Sequence, residues 1–201
     1  TPERPRRVWA VPELVALVKE AASKPQPDDS FLAKGPFDAQ KQLDFTVEVM
    51  TKMGFDWSRG RQDKSAHPFT TSFGRNDVRV TTRIVEGLPL SSLFSSVHES
   101  GHALYEQGYD PQFARTPLSD GASLGVHESQ SRLWENMVAR SLEFWTFFLQ
   151  RYKQLFPEAL ANVSLEKFVK AANIVRPSLV RVEADETTYN LHIMLRFDLE
   201  K

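Results

Sequence analysis

The 201-residue sequence predicts a mainly α fold with a small antiparallel β-hairpin or three-stranded sheet. Apolar residues recur at helical spacing in several separate stretches, each bounded by proline, glycine or an Asp or Ser cap. One stretch, 69–85, is instead dense in β-branched and aromatic residues with a turn sequence in its middle. With 41% hydrophobic and 11% aromatic residues, the chain can build one domain around its own core.

Residues 1–10 are basic and proline-rich. Pro12-Glu13 opens a short helix with Leu14, Val15, Leu17 and Val18 on its apolar side, and Pro25 and Pro27 end it. Pro36 and Asp38 start a second helix whose stripe is Phe37, Leu43, Phe45, Val47, Val49 and Met50, closing near Gly54. Phe69–Phe73 and Val78–Val85 form the hairpin around Gly74-Arg75-Asn76-Asp77. From Leu90 the helical period returns, with Leu90, Leu93, Phe94, Val97, Gly101 and Leu104 in one stripe and Gly108 and Pro111 as stops. Asp120 is the expected N-cap of one long helix running to about Tyr152, with Leu124, Glu128, Ser131, Trp134, Val138, Leu142, Trp145 and Leu149 on one face. Ser164 caps a further helix. Ser178–Val182 is a short extended run that could add a third strand. Tyr189–Leu199 alternates like a strand but is made of helix formers, and its expected state is helix.

Composition narrows the function classes. A formal net charge of −1 gives no reason to expect nucleic acid or an acidic membrane as partner. The chain has no cysteine, so disulfides and thiolate metal sites are excluded, and a cytoplasmic location is the expectation. The densest apolar run, Phe144–Leu149, is far too short to span a bilayer. The first residue is Thr1, no apolar leader follows, and the last residues lie inside a patterned segment. The whole of 1–201 is therefore expected to be a single catalytic-core segment of a longer protein.

The chemistry concentrates in His98-Glu99-Ser100-Gly101-His102. Histidines four apart lie on one helix face, one turn apart, and can grip one metal ion. Glu99 projects beside them and can act as general base without ligating the metal. Two histidines need a third ligand. A histidine six residues beyond His102 would supply it in one large class of zinc peptidases, but that position is Gly108. Glu128 is the best candidate, being a carboxylate in an apolar stripe; the alternative is simple pairing with Arg132 one turn later. His127 and Glu106 are weaker competitors, and Glu106 reads as a solvated helix charge. Arg79 and Arg181 lie in charge-dense segments. Each could hold a substrate carboxylate in a bidentate grip, or pair structurally with Asp77 and with Glu183 or Asp185. His67 and His192 read as hydrogen-bonded packing residues.

Five motifs occur in one order: His67-Pro68-Phe69, Asp77-x-Arg79-x-Thr81, His98-Glu99-x-x-His102, His127-Glu128-Ser129-Gln130 and Arg181-x-x-Ala184-Asp185-Glu186. In this the chain resembles the M32 metallocarboxypeptidases, the carboxypeptidase Taq family. The resemblance implies a helical, deep-grooved body that removes C-terminal residues from peptides with a free C-terminal carboxylate, using Zn²⁺ or Co²⁺. It implies His98, His102 and Glu128 as metal ligands, Glu99 as base, and Arg181 as a carboxylate-binding residue. It also implies a homodimer for the full-length protein. A zinc aminopeptidase or endopeptidase, or a metal-binding fragment without full activity, is the alternative. Family chains are longer, so this segment is expected to bind metal with weak activity by itself.

Overall fold

The computed structural model describes residues 10–179, 181 and 184–200. The chain divides into two compact units. One is Asp29–Leu165; the other combines the described parts of Thr1–Asp28 and Glu166–Lys201. Eight α-helices are described: α1 Ala10–Ser23, α2 Ala39–Met53, α3 Pro89–Gln107, α4 Leu124–Arg132, α5 Leu142–Leu155, α6 Pro157–Leu160, α7 Leu165–Ala172 and α8 Glu186–Leu199. They accompany three strands, β1 Gly60–Lys64, β2 Phe69–Ser72 and β3 Val78–Thr82. The predicted class is correct: a mainly helical chain with one small sheet.

Where local signals are strong, the elements fall where the sequence put them. Asp38 caps α2 by accepting from the backbone N–H groups of Gln40 and Lys41, and Gly54 ends it at φ 101°, a left-handed conformation that suits glycine. Pro89 opens α3 at the position where its missing N–H costs nothing. Gly74–Asp77 turns β2 back antiparallel onto β3, with Thr70 opposite Val80. The segment 186–199 is helical, capped by Asp185 through Thr187 and Thr188.

Two expectations fail. Among the described residues the third strand is β1 rather than part of Ser178–Val182, and it pairs parallel to β3 in the order β1-β3-β2. Ser178 and Leu179 are not in a strand, Leu179 is fully exposed, and Val180 and Val182 lie outside the described residues. The long helix is also broken. Ser123, not Asp120, caps α4, and α4 ends at Arg132. A π-helical segment, Leu133–Val138, follows, and Ser141 caps a separate α5. Leu124, expected to face inward, is 91% exposed.

In the unit Asp29–Leu165, α3 is the central element. One side packs through Ala103 with Met50, Phe55, Val78 and Val80. Small polar residues let neighbours come close along it: the Ser92 hydroxyl donates to Gln42 Oε1 at 2.7 Å and the Ser96 hydroxyl to Thr82 Oγ1 at 2.9 Å. An aromatic layer of Phe37, Phe45, Trp145, Tyr152 and Phe156 joins α2 to α5. The Tyr152 hydroxyl donates to the carbonyl of Pro89 at 3.3 Å, tying α5 to the start of α3. In the other unit, α1 packs against α8.

Candidate metal centre

Helix α3 carries His98 and His102 on one face, one turn apart, with ring centroids 4.9 Å apart. Their side chains are 16% exposed, at the edge of the apolar stripe rather than in it. Gly101, between them in sequence, explains how a second helix reaches this face. A Cβ there would lie 2.5 Å from Ser131 Cα and 2.7 Å from the carbonyl oxygen of Gln130. The backbone of α4 thus rests directly on α3, and Glu128, one turn before Ser131, projects toward the imidazoles.

His98, His102 and Glu128 are brought together, with donor atoms within 4.8 Å of one another. The Nε2 atoms of His98 and His102 stand 3.8 Å and 3.4 Å from Glu128 Oε2. Metal–ligand bonds of ~2.0–2.2 Å at tetrahedral angles place donors roughly 3.3–3.6 Å apart, close to the two histidine–carboxylate spacings, so the trio could close on one divalent cation. The competing reading for Glu128, pairing with Arg132, is borne out. Its Oε1 accepts from Arg132 Nε at 3.1 Å while Oε2 faces the histidines. Burial pushes the Glu128 carboxyl up, but His102, His98 and Arg132 outweigh it and hold it at about 2. Glu128 is therefore a ready anionic donor. Its side chain is 44% exposed, so it lines an open face rather than the core.

Each histidine is held from behind. His98 Nδ1 lies 2.8 Å from Glu135 Oε2. Glu135 also accepts from Arg132 Nη1 at 2.9 Å and faces Arg140 at 3.7 Å, whose guanidinium sits 3.9 Å over the Phe94 ring. Burial pushes the Glu135 carboxyl up; His98, Arg132 and Arg140 bring it below the usual range. His102 Nδ1 lies 2.6 Å from His127 Nδ1, and His127 Nε2 lies 2.8 Å from Glu106 Oε1. Glu106 is not the solvated charge the sequence suggested; its side chain is 14% exposed.

Glu99 is 7% exposed. Its Oε2 accepts from the Thr70 hydroxyl of β2 at 2.7 Å, and its backbone carbonyl lies 2.9 Å from the same hydroxyl. Its other oxygen, Oε1, accepts no hydrogen bond among the described residues. Arg79 is half-exposed and chelates Asp77 with two hydrogen bonds of 2.9 and 2.8 Å. It alternates with the buried Val78 and Val80, so it points to the sheet face opposite the one they line. Arg181 belongs to the other unit, where its Nη1 donates to the Tyr189 hydroxyl at 3.4 Å. His67 is exposed rather than packed, and His192 is partly buried.

Sequence reasoning missed Glu135 and Thr70. Glu135 had a signal: it follows Glu128 by seven residues, two helical turns along the same face. Thr70 had none, because only the fold brings β2 to α3.

Fold and donor set together describe a helical protein in which two histidines and one carboxylate could hold a metal ion. Residues 10–201 match the family model for carboxypeptidase Taq (M32) metallopeptidase, and the chain belongs to that family. It is 50% identical to thermostable carboxypeptidase 1 of Thermus thermophilus, with 87% of this chain and 34% of the relative aligned. To carboxypeptidase 1 of Bacillus subtilis it is 44% identical, over 94% of this chain and 38% of the relative. The crystal structure of the M32 carboxypeptidase from Deinococcus radiodurans superposes with a TM-score of 0.90 at 50% identity, covering 93% of this chain and 37% of that one. The chain therefore spans little more than a third of the length of these relatives.

Proposed function

We propose that this chain is the catalytic core of a metal-dependent carboxypeptidase that hydrolyses the C-terminal peptide bond of peptides. The observation that carries the proposal is the meeting of His98, His102 and Glu128 on paired helices with Glu99 next in sequence to the first ligand. The donor set of two imidazoles and one carboxylate suits Zn²⁺, with Co²⁺ the next choice. When bound, such an ion polarises a peptide carbonyl and lowers the pKa of an attacking water toward about 7.

Glu99 performs the proton chemistry. Thr70 occupies its Oε2, which leaves Oε1 to take a proton from the attacking water and return it to the departing amine. Arg132 holds Glu128 through Oε1, so Oε2 keeps its aim at the histidines. For the substrate carboxylate we assign Arg181, on the family likeness. Arg79 is the weaker choice, because both ends of its fork already hold Asp77. The full-length protein is assigned to the cytoplasm as a homodimer, with peptides rather than nucleic acid or membrane as its partners. Among the described residues no helix is long and apolar enough to cross a membrane.

Hydrolysis of N-blocked peptides with a free C-terminus, and not of their C-terminal amides, is the expected pattern. Equal cleavage of the amides would shift the reading to an endopeptidase, and release of N-terminal residues to an aminopeptidase.

A further inference from the structure

The two metal-facing histidines are supported differently. His98 Nδ1 meets a carboxylate directly, whereas His102 Nδ1 meets another imidazole nitrogen 2.6 Å away. Two nitrogens that close share one proton. If it sits on His102, that ring's Nε2 carries a lone pair toward Glu128 and can ligate a metal. If it sits on His127, the neutral His102 ring carries its proton on Nε2 and cannot.

Resting on the metal-centre reading above, we infer that His127 and Glu106 are positioning residues that fix His102 as a metal donor through a relay of tautomers. Glu106 Oε1 accepts only, so it demands the proton of neutral His127 on Nε2, 2.8 Å away. His127 Nδ1 is then a lone pair and accepts from His102 Nδ1–H. That leaves the lone pair of His102 on Nε2, the atom 3.4 Å from Glu128 Oε2. The choice made at Glu106 thus reaches the metal position across two rings. The His127 ring is boxed in. Tyr105 stacks edge-on with centroids 5.0 Å apart, and a Cβ at Gly121 would lie 3.1 Å from its Cδ2. The Tyr109 hydroxyl donates to Glu106 Oε1 at 3.2 Å and holds that end in place.

The test is Zn²⁺ affinity by chelator competition, the visible spectrum of the Co²⁺ form, and the melting temperature of the metal-free chain. His127→Phe keeps a ring but offers no acceptor; affinity should fall about 10- to 100-fold and the cobalt spectrum should shift. His127→Asn restores an acceptor to His102 and should recover most of the loss. Glu106→Ala should weaken binding about tenfold in the natural chain. Combined with His127→Asn, it should change binding less than about twofold further, because an amide has no tautomer to set. That cycle decides the matter even where His127→Phe does not fold. Unchanged affinity in His127→Phe, or a persistent tenfold effect of Glu106→Ala on top of His127→Asn, would overturn the relay. Failure of the natural chain to bind stoichiometric Zn²⁺, or undiminished binding after Glu128→Ala, would instead overturn the metal centre itself.

Discussion

Two charged clusters of this molecule have hydrogen bonds of similar length and opposite significance. On the outer face of the sheet, Arg61 and Arg79 clamp Asp63 and Asp77 at 2.6 and 2.8 Å, with side chains 44% to 67% exposed. Between α3 and the segment 124–140, Arg132 reaches Glu128 at 3.1 Å and Glu135 at 2.9 Å, with Arg132 23% and Glu135 14% exposed. The outer pairs join residues two apart in the chain and touch neither histidine of the inner cluster. The inner ones hold two carboxylates against two imidazoles contributed by a different helix. Water screens the first set, while Arg132 and Glu135 of the second sit where desolvation makes an unpaired group costly. Bond length does not distinguish them; burial and the identity of the third partner do.

The largest expected effect is removal of an inner donor. His98→Ala and Glu128→Ala should each weaken Zn²⁺ binding more than about 100-fold, beyond the range of outer-shell changes, measured as bound metal after dialysis. Glu99→Gln should retain metal near one per chain while turnover of a C-terminally free peptide falls about 10²–10⁴-fold. Unchanged turnover would remove Glu99 from the chemistry. Gly101→Ala pushes a methyl into the backbone of α4 and should destabilise by about 1–3 kcal/mol, with a parallel loss of metal affinity as Glu128 moves away. A loss of stability without loss of affinity would show that α4 does not depend on this contact for its aim.

The outer cluster should respond least. Asp77→Asn should lower the melting temperature at neutral pH only slightly. Hydrogen bonds from Arg61 and Arg79 hold the Asp63 and Asp77 carboxyls below their usual range. A carboxyl lowered in the folded state contributes stability above its unfolded pKa, and loses it as pH falls through the folded value. In acid titrations, the small difference between the natural and Asp77→Asn chains should therefore be largest at neutral pH. It should shrink as pH falls below the ordinary aspartate value and vanish below the lowered folded value. Salt at about 0.5 M, several times the physiological level, should erase the difference.

Sequence legibility followed the same division between local and tertiary causes. Asp38 and Gly54 bounded α2, Pro89 opened α3 and Gly74–Asp77 turned the hairpin, because each of these signals acts within a few residues. The meeting of the donor trio was legible in part: helical spacing fixes His98 and His102, while the stripe position made Glu128 only the best candidate, and its side chain proves to be 44% exposed. What could not be read was set by packing. Gly60-Arg61-Gln62-Asp63-Lys64 has no β-branched residue and is a strand only because β3 offers it an edge. The break between α4 and α5 is invisible to a 3.6 period, since apolar residues continue at helical spacing in the sequence of the π-helical segment. Glu106 and His127 were weighed as rival ligands. Their partners, each other and His102 Nδ1, appear only when α4 lies on α3.

The most direct test is anomalous diffraction from crystals of this chain grown with Zn²⁺. One strong site is expected, bonded to His98 Nε2, His102 Nε2 and a Glu128 carboxylate oxygen at about 2.0–2.2 Å, with His127 and Glu106 unligated. A zinc ion bonded instead to His127 or Glu106, with Glu128 turned away to Arg132, would contradict the proposed centre.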